Sequence, residues 1–317
     1  MKLTQRFKAD VLVIGAGASG LRAALAAAEA GSQVLVVNKG PVTKSGTTLA
    51  AAGGMQAPLY PGDSPEQYFK DTVECGYGLG DQNLVKVLAE EAVARVADLE
   101  RYGVNFARQA SGEYSLRFSP GQTFPRTLSI RGGGVGLVAG LAAACRRHDR
   151  ITIMDDFLVT GLIKGNSQKS SSIAGAIGIN QKTGELTLIN AKALVMATGG
   201  CPWLWQVNDA PTDANGDGIA LAYRAGAELV DMEMVLFYPS VIVWPPSLKG
   251  AFVHYEFLAS DILDGNIYDN QGNPVLTKPL PIRDQAMRII AGAINAGRGG
   301  PHGGLWWYVG DSPKGRE

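Results

Sequence analysis

"DVLVIGAGASGLRAALAAAEAGSQVLVVNKG", Asp10 to Gly40, decides how this chain is read. Val11 to Ile14 is the apolar run that a buried parallel strand needs. Gly15-Ala16-Gly17-Ala18-Ser19-Gly20 follows as G-x-G-x-x-G. In that pattern Gly15 permits a tight turn, Gly17 lets a phosphate approach the backbone, and Gly20 lets helix and strand pack closely. The small residues from about Ser19 to Ala30 predict a helix whose N-terminal amides and positive dipole end face a pyrophosphate. Gly31 ends it, and Gln33 to Val37 returns as a second strand. A lone glycine pattern is weak evidence. Set in a full strand–turn–helix–strand unit, it predicts dinucleotide binding.

Composition narrows the class. The 317 residues suffice for one large α/β domain or two unequal ones. Basic and acidic residues both number 29, so no basic excess points to nucleic acid. Cys75, Cys145 and Cys201 lack CxxC spacing, which argues against a disulfide framework or an iron–sulfur site in this chain and fits a reducing compartment. His148, His254 and His302 are scattered, so no metal set is expected. No apolar run reaches membrane-spanning length and no signal peptide is visible. A soluble, cytoplasmic protein is expected, with attachment to the inner face of a membrane through a partner left open.

NAD and FAD both use the opening unit, and later segments separate them. An Asp or Glu commonly closes the second strand and accepts from ribose hydroxyls; here Asn38-Lys39 stands there. Asn38 can still accept through its amide oxygen, and Lys39 faces a phosphate or is a solvated strand end. "KSGTTLAAAGGM", Lys44 to Met55, is rich in small residues around Ser45, Gly46, Thr47, Gly53 and Gly54. Such a stretch suits backbone lying against a flat ring system. "AKALVMATGG" is a buried strand running into Ala197-Thr198-Gly199-Gly200, a second close backbone approach. In "NGDGIALAYRAGAELVDMEMVLFYPS", Asp217 sits between two glycines at a helix start, placed to cap the helix or to accept from a ribityl hydroxyl.

In order, these segments resemble the flavoprotein family of fumarate reductase, succinate dehydrogenase and L-aspartate oxidase. The resemblance implies bound FAD, held extended across an open parallel sheet with backbone near Val159 at the adenine. It also implies a smaller capping domain inserted after "MVLFYPS", a small carboxylate substrate and hydride transfer at a C–C bond. Departures qualify it. The family's flavin-linking S-H-T appears as Ser45-Gly46-Thr47, and Gly46 has no nucleophile, so the FAD is expected to be non-covalent. The family's F-H-P-T appears as Phe237-Tyr238-Pro239-Ser240; Tyr238 can donate to a carboxylate but cannot be a cation. "GAFVHYEFLASD" replaces the family's T-E-x-x-R-G-E-G, leaving His254 as a candidate substrate contact. "IRDQAMR" resembles the S/T-R-D-x-x-x-R helix start whose first arginine moves the proton, here Arg283. Pairing with Asp284 or capping the helix is the structural alternative for Arg283, weighed second to the proton role.

The expected architecture is α/β: a Rossmann-like FAD-binding domain over residues 1–243 with a β-sheet excursion, then the start of an α+β capping domain over 244–317. Within the first of these lie two scaffold helices, the second with an apolar face through Leu84, Val87, Leu88, Ala92, Val96 and Leu99, and a helix from Val135 to Arg147. Gly132-Gly133-Gly134 reads as room for the isoalloxazine, and Arg126 and Arg131 as cations facing flavin or substrate, or as surface cations. Strands follow from Ile151, with a turn at Thr183-Gly184. Members of the resembled family continue well beyond a strand like the one near Trp306-Trp307, so a truncated chain, a naturally split enzyme or a subunit completed by a C-terminal chain is expected; the resemblance also leaves open an iron–sulfur electron-transfer subunit as partner. The readings left beside the oxidoreductase are a related enzyme for another acid or enone and a flavin-binding subunit without its own activity.

Overall fold

The computed structural model describes residues 3–165, 172–238, 240–251, 253 and 265–309. Packing divides them into two units. Unit 1 gathers 1–57, 92–116 and 127–230, and unit 2 gathers 58–91, 117–126 and 231–317. The last segment of the second unit begins at Asp231, and that unit also takes in two earlier segments.

Unit 1 is built on a six-stranded sheet. Its strands are β1 (Leu3–Ile14), β2 (Val34–Val37), β6 (Ile151–Met154), β7 (Phe157–Lys164), β8 (Ile173–Asn180) and β9 (Leu186–Met196), in the order β6-β2-β1-β9-β8-β7. The first four run parallel, and β8 and β7 add antiparallel to β9. The excursion strands are thus part of the nucleotide-binding sheet itself. β1 starts earlier than its apolar run, because residues from Leu3 onward already pair with β9. Within that polar lead Phe7 and Ala9 still pack on the core, the alternation of a half-buried strand. The core joins Leu12, Ile14, Leu35, Val37, Phe157 and Ile189.

The helix α1 (Ala18–Glu29) buries Leu21, Ala24, Leu25 and Ala28, a helical stripe of small and branched residues. α5 (Gly133–Arg147) lies against it, with the Cys145 Sγ 3.5 Å from the Leu21 carbonyl. Burial pushes that thiol up to about 12, so Cys145 is a packing residue and not a nucleophile. The short α2 (Thr47–Ala50), the strands β3 (Gly54–Gln56) and β5 (Thr127–Ser129), and α6 (Asp217–Ala225) complete the unit. The two-residue β4 (Leu116–Arg117) follows β5 in its small sheet.

Unit 2 holds α3 (Pro65–Cys75), β10 (Gly265–Tyr268), α7 (Arg283–Ala293) and β11 (Trp306–Val309). β10 and β11 pair antiparallel, and Ile267, Leu276 and Ala286 form its core. Ser64 caps α3 by accepting from the Gln67 N–H, with Pro65 at the first helical position. Arg126 is fully buried between Asp63 and Asp71, so it faces neither flavin nor solvent as the sequence had suggested. α4 (Gln82–Arg101) begins in unit 2 and ends in unit 1. Its Ala89, Ala92 and Val96 are buried, whereas Leu84, Val87 and Leu88 are exposed. The expected apolar face is covered along only part of its length.

Candidate functional site

A cleft at the carboxyl ends of β1, β2 and β9 brings together the separated motifs of unit 1. Its walls include Gly15, Ala16, Gly17 and Ser19 from the glycine turn, and Asn38 and Lys39 from the end of β2. Gly46 and Thr47, Val159, then Ala197, Thr198 and Gly199, and finally Asp217 complete them. These positions span some two hundred residues of chain, and the parallel sheet collects them at one edge, where α/β folds hold their ligands.

The three glycines of the turn have different uses. A Cβ on Gly15, which has φ +101°, would lie 2.3 Å from the Ala197 carbonyl oxygen. One on Gly20 would lie 1.9 Å from the Gly15 carbonyl oxygen. Both positions are closed by the protein's own backbone. A Cβ on Gly17 would meet only the Thr48 Oγ1, at 3.1 Å, so Gly17 is the glycine that faces the cleft. The first turn of α1 carries no acidic side chain, leaving its positive end uncompensated. That is the electrostatic requirement for a phosphate.

The polar residues around the turn are mostly engaged. The Asn38 Oδ1 accepts from the Ala16 N–H at 2.9 Å, and its Nδ2 donates to the Gly40 carbonyl at 2.7 Å and to the Ser45 Oγ at 3.0 Å. Asn38 therefore fixes the turn and the 40–45 loop. The Lys39 Nζ forms an ion pair with the Asp217 Oδ2 at 2.7 Å and donates to the Asn215 Oδ1 at 3.2 Å. Asp217 is the first residue of α6, follows Gly216 at φ +85°, and makes no capping hydrogen bond. Its charge suits the helix end without a cap. Ala18 donates to the Thr48 Oγ1 at 3.3 Å.

Asp213 was not legible as a site residue. Its Oδ2 accepts from the Gly46 N–H at 2.8 Å, while its Oδ1 is buried and has no hydrogen-bond partner among the described residues. A buried carboxylate oxygen without a donor costs on the order of 1–3 kcal/mol or more. Asp213 is one of the residues that line the cleft, so a donor is missing beside it. A cleft with an open glycine, a helix N-terminus without acidic side chains, an apolar wall at Val159 and an unmatched acceptor fits a dinucleotide with phosphates and sugar hydroxyls.

Not every expected residue lines the cleft. Gly53, at φ +70°, packs on Gly133, where a Cβ would lie 2.3 Å from backbone. Gly54 pairs with Ser129 across β3 and β5. A Cβ on Gly134 would lie 1.7 Å from the Thr48 carbonyl oxygen, so the triple glycine makes room for backbone where the sequence suggested an isoalloxazine. Ser45 acts through Asn38, and Gly200 follows the lining without joining it.

In unit 2 the Arg283 guanidinium carbon lies 5.2 Å from the centre of the Tyr238 ring. Asp284 accepts from the Tyr77 hydroxyl at 2.8 Å and also from Arg288. Burial raises the Asp284 carboxyl, but these two hydrogen bonds, the Gln285 N–H and the Arg288 charge together hold the group below its ordinary value. Tyr238 also lines an apolar cavity of about 540 Å³, together with Trp244 and His302, which stack at 3.8 Å and 8°. His254 and Pro239 lie outside the described residues. Among the described residues there is no group of three metal-ligating side chains, and no helix is long and apolar enough to cross a membrane.

The FAD binding domain family matches residues 10–263. This chain belongs to that family. FAD is the family's cofactor, and the cleft supplies the fitting residues. A fumarate reductase (CoM/CoB) subunit of Methanothermobacter marburgensis is 34% identical over 320 residues, covering 98% of this chain and 57% of the relative. L-aspartate oxidase of Streptomyces coelicolor is 34% identical over 244 residues, 76% of this chain and 42% of the relative. Among solved structures, a mutant of the E. coli quinol fumarate reductase FrdA superposes with a TM-score of 0.86 at 26% identity, over 96% of this chain and 54% of that one. The expected resemblance and the α/β flavoprotein fold are both met. The chain spans about half the length of the relatives it matches.

Proposed function

We propose that this chain is the FAD-holding part of an oxidoreductase of the fumarate reductase and succinate dehydrogenase type. The cleft of unit 1 carries this reading, because the four motifs of the resemblance meet there around an open glycine and an uncompensated helix end. Bound FAD supplies a two-electron hydride donor or acceptor. The chain's own residues would bind and orient it: Gly17 and the amides opening α1 at the pyrophosphate, Val159 at the adenine, and the 46–48 and 197–199 backbones along its length. Gly46 offers no side chain for a covalent link, so the cofactor is held without one.

The substrate is a small carboxylate, with hydride transfer at the neighbouring C–C bond. Arg283 would move the proton and Tyr238 would donate to the carboxylate, with His254 a third contact. Arg283 is the first residue of α7, where the helix dipole disfavours a cation. A residue placed for helix stability there would be acidic, which supports a chemical role. A guanidinium is a weak acid, so the relay depends on its surroundings. A partner carrying iron–sulfur centres, or a further chain segment, would complete electron transfer, and membrane association would come through that partner. The second reading is a flavin-holding subunit without its own turnover. It is favoured by Tyr238 standing where the resembled family has histidine and by the missing T-E-x-x-R-G-E-G.

The test is to load the chain with FAD and follow dye reduction with succinate and dye oxidation with fumarate. Turnover with either supports the first reading. Bound flavin without turnover supports the second, and a chain that takes up no flavin sinks both.

A further inference from the structure

We infer that Asp213 is a cofactor-reading residue: its Oδ1 accepts a hydrogen bond from a sugar hydroxyl of the bound dinucleotide. The inference rests on the FAD reading above. Three groups could have supplied the hydroxyl acceptor. Asn38, where a carboxylate commonly stands, has its Oδ1 on the Ala16 N–H. Asp217 is held by Lys39. Asp213, a residue of the cleft lining, alone among these has a buried oxygen with no hydrogen-bond partner among the described residues, while its other oxygen is pinned by the Gly46 N–H at 2.8 Å.

The chemistry of the missing donor follows from the acceptor. A carboxylate oxygen repels phosphate and gains nothing from the ring acceptors of flavin or adenine. It takes an N–H or an O–H: beside the one amino group of adenine and the one N3–H of flavin, the ribose and the ribityl chain offer several hydroxyls, the most numerous donors of FAD. The loop Asp213–Asp217 would then work as a pair of polar arms, with Asp217 anchoring Lys39 and Asp213 reading the sugar.

The experiment titrates FAD, ADP and FMN into the flavin-free full chain and into Asp213→Ala and Asp213→Asn. ADP carries the ribose alone and FMN the ribityl chain alone. Loss of a hydrogen bond to a charged acceptor predicts FAD binding weakened about 10- to 100-fold in the alanine variant, with a smaller loss for asparagine. The penalty is expected with one of ADP and FMN and not with the other, which names the half of FAD that Asp213 contacts. Should the alanine variant fail to fold, the near-isosteric asparagine variant carries the same comparison. Binding within about twofold of wild type in both variants would overturn the inference. So would an equal penalty on ADP and FMN that tracks a lowered melting temperature, the signature of a loosened Gly46 loop. A wild-type chain that takes up no FAD fails earlier, and then the function reading falls with it.

Discussion

Gly15–Gly20 and Gly132–Gly134 look alike as sequence, since each is glycine-rich and each opens a helix. Their surroundings differ. At α5 the Gly134 N–H donates to the Ala51 carbonyl at 3.0 Å, and the glycines admit the 48–52 backbone. That positive helix end is spent on protein carbonyls. At α1 two glycines fit the protein and the third faces a cleft. A glycine-rich helix start is a ligand site only when its amides have not already been given to backbone. Composition cannot make that distinction.

The largest break in this comparison comes from Gly134→Ala. Its Cβ would fall 1.7 Å from a backbone oxygen, and overpacking against backbone costs about 3 kcal/mol or more. Thermal unfolding should show a large drop, with flavin content falling only as folded protein is lost. Gly17→Val gives the opposite pattern. The melting temperature of the flavin-free chain should stay near wild type, while FAD affinity falls at least about 100-fold, because a branched side chain occupies the phosphate position. A fully loaded Gly17→Val protein would make the turn structural only.

Smaller effects sharpen the same contrast. Gly46→Ala adds a methyl where nothing lies within 4 Å, but at φ +93°. The expected cost is backbone strain of about 1–2 kcal/mol, read by denaturant unfolding, with no steric collapse. In unit 2, Asp71 supplies a pH signature unconnected with the cleft. Burial raises its carboxyl, but hydrogen bonds from the Thr123 N–H, Arg126, the Thr123 hydroxyl and Gln67 together lower it. A depressed carboxylate stabilises the fold above its unfolded value of about 3.9, and that stability is lost as pH falls through the lower folded value. Stability should therefore be insensitive to this group near neutrality. It should fall below about pH 4 by no more than about 1.4 kcal/mol per pH unit for this one group. An Asp71→Asn variant that keeps the wild-type slope of stability against pH below about pH 4 would contradict the assignment.

Local pattern made the frame legible. The β1–α1–β2 unit, the strand ending at Ala197-Thr198 and the helix at Asp217 each announce themselves through glycine, apolar runs and turn residues. Contacts between distant segments were not legible. Asp213 and Gly46 lie 167 residues apart, and only the sheet's strand order brings the carboxylate to that amide. A faint signal existed in "DANGD", where a second acidic residue precedes the helix by four positions. Arg126 shows the same limit, because an arginine between a proline and a threonine gives no hint of Asp63 and Asp71 folding around it. The buried arginine and the cleft's lysine are set apart by their partners, which local sequence does not contain.

Flavin stoichiometry and release test the central claim most directly. The full chain is saturated with FAD, freed of excess by gel filtration, assayed by visible absorbance and then precipitated with acid. The cleft of unit 1 and the glycine at position 46 predict one FAD per chain, all of it recovered in the supernatant. A chain that retains no flavin after filtration, or flavin that stays on the precipitated protein, would contradict the account.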